Sequence, residues 1–543
     1  MASASRRLKY LQHWYKDGGI LLMSYEQFRI SVLRESHDRD LIRTMLVDPG
    51  PAILIADEAH RIKNSTSQLT IALQLVKTRA RLCLTGSPLQ NNLLEFYHVV
   101  EFACPNYLPA QQEFNHLYLK PIQNVYADSP ASNIYMAKKQ LFKLQLLTAD
   151  IILRRDTTIL AKELPKKIEY YVGCKLKELQ YKGYESLLHL FKHTDIQENP
   201  MINLCVLRAI CNHPSVLNQM AVGRQDKVMP VPTISTQRNH ELEESDIALE
   251  EEMMEISTAI KTTQLMAMAE KLFDTIPDID DPRHSSKTEV IVGIATACRD
   301  ANDKLVIVSH SILCLDYLEN LLGTLQFQTA RIDGSTPATE RQPIIETFNN
   351  STTQHIMFLS ARAGSLGVNI TGANRMILCD SDWNPQHDEQ GVGRVYRYGQ
   401  TKDVFIYRLY TYTTIEHKLL YQSIHKRGIA SRVVDNDKLS LQDKHEMRKY
   451  YALPQRNPSS NTNRILSKIQ DPVLRKVIEE NASDVADAVS KETLERDGVQ
   501  AETELEIADI EKARKEVKGY QQLYYSTKSK RSSGGRDSYS DIL

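Results

Sequence analysis

One stretch constrains this chain more than any other: Cys379–Gln400, reading CDSDWNPQHDEQGVGRVYRYGQ. The run Arg375-Met376-Ile377-Leu378-Cys379 leads into it with the composition of a buried strand. That strand ends at two carboxylates, Asp380 and Asp382. Asn384-Pro385 then breaks the chain, and Gln386 onward suits a helix. On such a helix Gln390, Arg394 and Arg397 fall at i, i+4 and i+7 and share one face. Two guanidinium forks beside a glutamine suit an anionic partner, because a fork matches phosphate oxygens better than an ammonium does. A solvated basic helix is the plain alternative.

The bulk numbers narrow the class. A chain of 543 residues is too long for one core and calls for two or three globular units. The formal net charge of −1, from 67 basic and 68 acidic residues, excludes a uniformly basic nucleic-acid binder. It does not exclude a basic groove on a neutral body. No apolar run approaches membrane-spanning length, and Met1–Arg7 lacks the apolar core of a signal peptide. The eight cysteines contain no CxxC pair and read as thiols of a reducing compartment. Cys205, Cys211 and His213 fit no standard zinc spacing and lack a fourth ligand, so packing is the expected role.

Strand and helix patterns alternate along the chain. Gly18–Tyr25 suggests a turn feeding a short buried strand. Residues 52–56, Ala-Ile-Leu-Ile-Ala, are continuously apolar, as in a parallel strand covered on both faces. They end at Asp57-Glu58-Ala59-His60, where open α/β sheets bind ligands. There one acid can hold Mg²⁺ through its water shell and the next can orient an attacking water. The plain alternative is a helix cap. A second strand, Arg81–Leu84, ends in Thr85-Gly86-Ser87-Pro88. Residues 95–165 look helical. Residues 223–255 are polar and acidic and suit a surface loop or disordered insert. Lys304–Ser309 and His355–Leu359 are strands of a second α/β unit. The latter runs into Ser360-Ala361-Arg362-Ala363-Gly364, whose glycine lets a backbone approach phosphates.

The opening stretch resembles the last helicase motif of SWI/SNF-type ATPases in helicase superfamily two, roughly DxDWNPxxxxQxxxRxxRxGQ. Gln390, Arg394, Arg397, Gly399 and Gln400 all match. Asp57–His60, a DEAH box, and Thr85–Asn92 resemble the second and third motifs at their usual separation. Ser360–Asn369 resembles STRAGGLGxN, with Ala361 and Ser365 as departures. Ser431–Asp435, Val395–Tyr398 and Trp14–Arg29 resemble the ATRX-like subgroup.

The resemblance implies two RecA-like parallel-sheet lobes, the first incomplete, with helical insertions and a helical or disordered C-terminal tail. The expected boundaries are 1–165 for lobe one with a helical protrusion, 166–285 for a helical insertion, 286–440 for lobe two and 441–543 for a tail. It implies ATP and Mg²⁺ in the interlobe cleft: Asp57 for the metal, Glu58 for the water, and Gln390, Arg394 and Arg397 reaching across, with Gly364 near the nucleotide. A supplied arginine can be worth roughly a thousandfold in phosphoryl transfer. His60, Thr85, Gly86, Ser87 and Trp383 are expected to couple the lobes. Ser309, His310, Ser335, Ser360 and Arg362 are expected at double-stranded DNA, within nuclear chromatin. The family's GxGKT-type phosphate loop does not occur in these 543 residues. The expectation is therefore a fragment or shortened product of a larger ATPase, with an apolar sheet edge exposed. Two alternatives follow: a DNA- or partner-binding remnant without hydrolysis, and a strand-separating helicase. In the tail, segments 464–480 and 502–522 suit amphipathic helices, and Ser526–Leu543 suits disorder.

Overall fold

The computed structural model describes residues 4–34, 38–86, 93–126, 129–155, 163–193, 200–222, 262–361, 369–381, 385–435, 440–441, 451–496, 499–500 and 505–532. Two parallel sheets organise them. The smaller pairs β1 (Ile53–Ala56) with β2 (Ala80–Cys83) in parallel. The larger draws on β3 (Lys167–Cys174), β4 (Leu305–Ser309), β5 (Gln328–Ile332), β6 (Gln354–Ser360), β7 (Arg375–Leu378) and β8 (Val404–Thr411). A short antiparallel pair, β9 (Ser440–Leu441) and β11 (Val499–Gln500), flanks β10 (Val485–Ser490) in sequence. The seven-stranded order is β10-β3-β8-β7-β4-β6-β5, parallel except for β10, which runs antiparallel to β3.

Lobe two has apolar cores on both faces of this sheet. Along β4, Leu305 and Ile307 join one core, while Val306 and Val308 join the other. Period-two alternation therefore cannot show in its sequence, because both faces are covered. The strand order reverses at β4: β6 lies on one side and β7 on the other. The carboxyl ends of β4 and β7 thus bracket a topological switch point, the usual crevice of such sheets.

Three expectations change. Lys167–Cys174, expected to open the helical insertion, is an internal strand of lobe two, so that lobe begins earlier and the helices 178–193, 200–212 and 214–222 emerge from it. Gly18–Ser24 is coil with Ile20 98% and Leu22 95% exposed, not a buried strand. β1 is parallel but covered on one face only: Leu54 and Ala56 pack inward, whereas Ile53 and Ile55 are 61% and 60% exposed. A two-stranded sheet with helices on one side leaves the other face open.

The protrusion is helical, with Leu93–Ala103 and Ala131–Thr148 enclosing Phe96, Tyr107, Phe114 and Leu144. The tail is more ordered than expected. It forms helices Thr462–Leu466 and Pro472–Glu480, β10, and the helix Ile507–Ser532, which carries residues 526–532 expected to be disordered. The insert at 223–255 lies outside the described residues. Among the described residues no helix is long and apolar enough to cross a membrane.

Candidate functional site

The site is built from two strand ends, one in each lobe. In lobe one the ladder continues past β1: Leu84 N–H donates to Ala56 O and Ala59 N–H to Leu84 O, both at 2.8 Å. This pulls the Asp57-Glu58 turn tight enough that Glu58 adopts φ +51°, uncommon for a non-glycine residue. Two contacts hold it there. Glu58 N–H donates to Asp57 Oδ1 at 3.0 Å, and Tyr25 Oη donates to the Asp57 carbonyl at 2.6 Å. Tyr25 opens the helix Tyr25–Leu33, whose first turn is capped by Ser24 Oγ accepting from Gln27 N–H. The Arg61 guanidinium lies 5.6 Å from the Tyr25 ring centroid. His60 Nδ1 stands 3.2 Å from Glu58 Oε2 and 3.3 Å from Thr85 Oγ1, so one ring nitrogen links the acid to the end of β2.

In lobe two the stitch at the switch point is Asp380. Its carboxylate accepts from Ser309 Oγ at 2.8 Å, His310 N–H at 2.9 Å and Asn212 Nδ2 at 3.2 Å. Burial alone would raise its pKa, but His310, Arg208 and Lys287 outweigh this and hold it low. Ser309 is itself fully buried, so it braces this turn and does not face a DNA surface as expected. His310 Nε2 reaches Asp388 Oδ1 at 3.2 Å. Ser335 is exposed, its N–H and Oγ both on Asp333 Oδ1, and Ser360 is buried at the end of β6.

The arginine helix spans Pro385–Val395, so Gln390 and Arg394 ride on it but Arg397 does not. Gln400 Nε2 takes the Val395 carbonyl at 3.3 Å and the Ala373 carbonyl at 2.7 Å, while Gly399 turns the chain at φ +99°. A side chain four to five residues on thus ends the helix, which periodicity cannot reveal. Arg397 still sits close enough to depress the Arg394 pKa, second to burial. The opposing influence on Arg394 is Glu58, and Arg394 in turn lowers the Glu58 pKa, which burial and Asp57 raise. Glu58 of lobe one and Arg394 of lobe two are therefore near enough to influence each other's charge.

Underneath, Arg408 on β8 binds Glu169 at 3.1 Å, Asp388 at 3.3 Å and Glu389 at 3.0 Å. Arg427 also binds Glu389, at 3.0 Å. These ion pairs fix the helix from its inner side, opposite Arg394. Tyr25, Arg408 and Lys287 were not among the expected site residues; only the acids of the QHDEQ stretch hinted at such a network. Gly86 ends the described part of its loop. Ser87, Arg362, Gly364, Asp382 and Trp383 lie outside the described residues.

Residues 2–216 match the SNF2-related domain, and residues 286–399 match the helicase conserved C-terminal domain. Protein CHROMATIN REMODELING 20 of Arabidopsis thaliana is 32% identical, over 80% of this chain and 31% of its own length. The chain belongs to the SNF2 family of helicase superfamily two. Helicase ARIP4 of Mus musculus is 30% identical over 87% of the chain and 38% of its own length. Transcriptional regulator ATRX of Homo sapiens is 27% identical over 79% of the chain and 21% of its own length. The chain thus spans at most about two-fifths of these SNF2 relatives.

Among the described residues no cluster of three or more His, Cys, Asp or Glu could cage a metal. Mg²⁺ needs none, since one or two carboxylates suffice beside phosphate and water. Asp57 fits that role, with one carboxylate oxygen on Glu58 N–H. His213 is no zinc ligand: its ring stacks on Tyr317 at 4.2 Å and Nε2 contacts the Asp281 carbonyl at 3.1 Å.

Proposed function

We propose that this chain carries the motor domains of a double-stranded-DNA-dependent ATPase that translocates on DNA and remodels chromatin or other protein–DNA complexes in the nucleus. The observation that carries this is the placement of Asp57-Glu58 at the carboxyl end of β1 in one lobe and of Arg394 on the helix after β7 in the other, with Glu58 and Arg394 near enough to influence each other's charge. A triphosphate placed between them meets a carboxylate pair on one side and two guanidinium forks on the other. Bound Mg²⁺ would neutralise phosphate charge from the Asp57 side. Glu58, its pKa raised by burial and by Asp57, orients and deprotonates a water. Arg394 and Arg397 stabilise charge on the transferred phosphoryl group. His60 relays the state of Glu58 to Thr85. His310, Ser335 and Arg362 contact the DNA backbone, which makes binding salt-sensitive and sequence-tolerant.

Titrating a fluorescent ATP analogue with and without duplex DNA tests this reading. Coupled affinities that vanish in Arg394→Ala are expected; uncoupled or absent nucleotide binding overturns it. A second reading, a module that holds DNA or a partner without hydrolysis, draws on the open face of β1 at Ile53 and Ile55. DNA binding with no nucleotide binding would select it. A duplex-unwinding assay separates translocation from strand separation.

A further inference from the structure

The matched domains end at residue 399, yet the described residues between 462 and 532 are built into both lobes. On lobe two the attachment is buried. Asp471, fully inaccessible, pairs with Arg375 at 3.0 Å, accepts from Tyr407 Oη at 2.5 Å and caps the helix Pro472–Glu480 through Val473 and Leu474 N–H. Leu474, Val477 and Ile478 enter the lobe-two core, and β10 extends the sheet on β3.

Immediately after β10, Lys491 reaches Glu169 at 3.2 Å and Glu389 at 3.4 Å. Glu389 lies on the arginine helix, five residues before Arg394. Burial would raise the Glu389 pKa, but Lys491, ahead of Arg408 and Arg427, brings it down to about 2. The same polypeptide then crosses to lobe one. On the helix Ile507–Ser532, Asp509 pairs with Lys139 and accepts from Tyr135 Oη, both at 2.6 Å. Glu516 pairs with Lys143, and Gln521 donates to Asp150 at 3.0 Å. Val517 is buried in the protrusion core, and Tyr524 packs edge-on to Tyr107 at 4.9 Å.

We propose that residues 462–532 are a strap joining the lobes, in which Lys491 is the positioning residue for the arginine helix and the helix Ile507–Ser532 is the clamp on lobe one. A cation from the strap holds the helix that carries Arg394, while the strap's far end holds the lobe that carries Glu58. The spacing of the two is thereby limited by a segment that lies outside both matched domains. The positioning role rests on the cleft reading above; the strap itself does not.

Two arms test this on the full chain. In the first, amide exchange is followed in Lys491→Met and Lys491→Arg. Exchange across Pro385–Val395 is expected to rise about tenfold in the methionine variant and to return to within about twofold of wild type with arginine, which restores the charge. A rise confined to residues 485–496 overturns the positioning role. This readout needs no nucleotide, so failure of the Lys491 contact and failure of nucleotide binding are read separately. In the second arm, dyes on exposed residues 112 and 340 report the interlobe distance. Asp509→Lys with Glu516→Lys is expected to deprotect helix 507–532 and broaden the distance distribution. Adding Lys139→Glu with Lys143→Glu is expected to restore both. A deprotected helix with an unchanged distance distribution overturns the strap, and so does a helix that stays protected.

Discussion

Replacing Lys287 by methionine asks how much of the lobe-two half-site hangs on one buried charge. Lys287 sits in the first turn of the helix Ser286–Asp300, whose start is capped by Ser285 Oγ. Its ammonium donates to Glu416 Oε1 at 2.7 Å, Asn212 Oδ1 at 2.9 Å and the Cys379 carbonyl at 2.9 Å. The two charged side chains are 2% and 0% exposed. Cys379 immediately precedes Asp380, and Asn212 also donates to Asp380, so the ammonium braces the switch-point turn from below. Methionine keeps the length and removes the donor, leaving Glu416 charged and short of a partner. Removing one member of such a pair costs about 3–5 kcal/mol. The two neutral acceptors, about 1 kcal/mol each in isolation, do not add fully. Burial depresses the Lys287 pKa, but Glu416 outweighs it and the net shift is upward from 10.5. The stabilisation is thus complete below 10.5 and is lost only as pH rises through the higher folded value, so pH 7 reads all of it. Urea unfolding followed by circular dichroism should show a loss of about 3–5 kcal/mol for the lobe-two transition. Lys287→Met with Glu416→Gln should recover at least half, because no lone charge remains. A single variant within about 1 kcal/mol of wild type, or a double variant less stable than the single, refutes the reasoning.

Two further outcomes follow from packing and titration. His213 and His417 are both pushed down to about 4, first by burial, so each is neutral when folded and protonates more readily when unfolded. Stability should therefore be full above pH 6.5 and fall as pH drops from 6.5 toward 4; denaturation midpoints at pH 7.5 and 5 check this, and His213→Gln should flatten the slope. A Cβ on Gly173 would lie 2.8 Å from the Tyr410 ring, so Gly173→Ala should destabilise lobe two by about 1–3 kcal/mol, read as a lower unfolding midpoint.

The sequence by itself determined the local pieces. Unbroken apolar runs ending in Asp57-Glu58 and Asp380 specify strands with acids at their carboxyl ends, and Asn384-Pro385 sets where the arginine helix begins. Those features depend on neighbours in sequence, so a pattern can carry them. It also supplied the family, through spacings that no single element needs. Tertiary structure alone decided three things. Lys167–Cys174 became an internal strand because β8 and β10 close on it from 230 and more residues away. Arg397 fell beyond its helix because Gln400 takes the last carbonyl. Residues 462–532 became a bridge because Asp471 and Lys491 meet partners on β3, β7 and the arginine helix, while Asp509 meets Lys139 on lobe one. The first and third are contacts between residues distant in sequence and the second is a side chain on a backbone carbonyl, and such pairings leave no period to read.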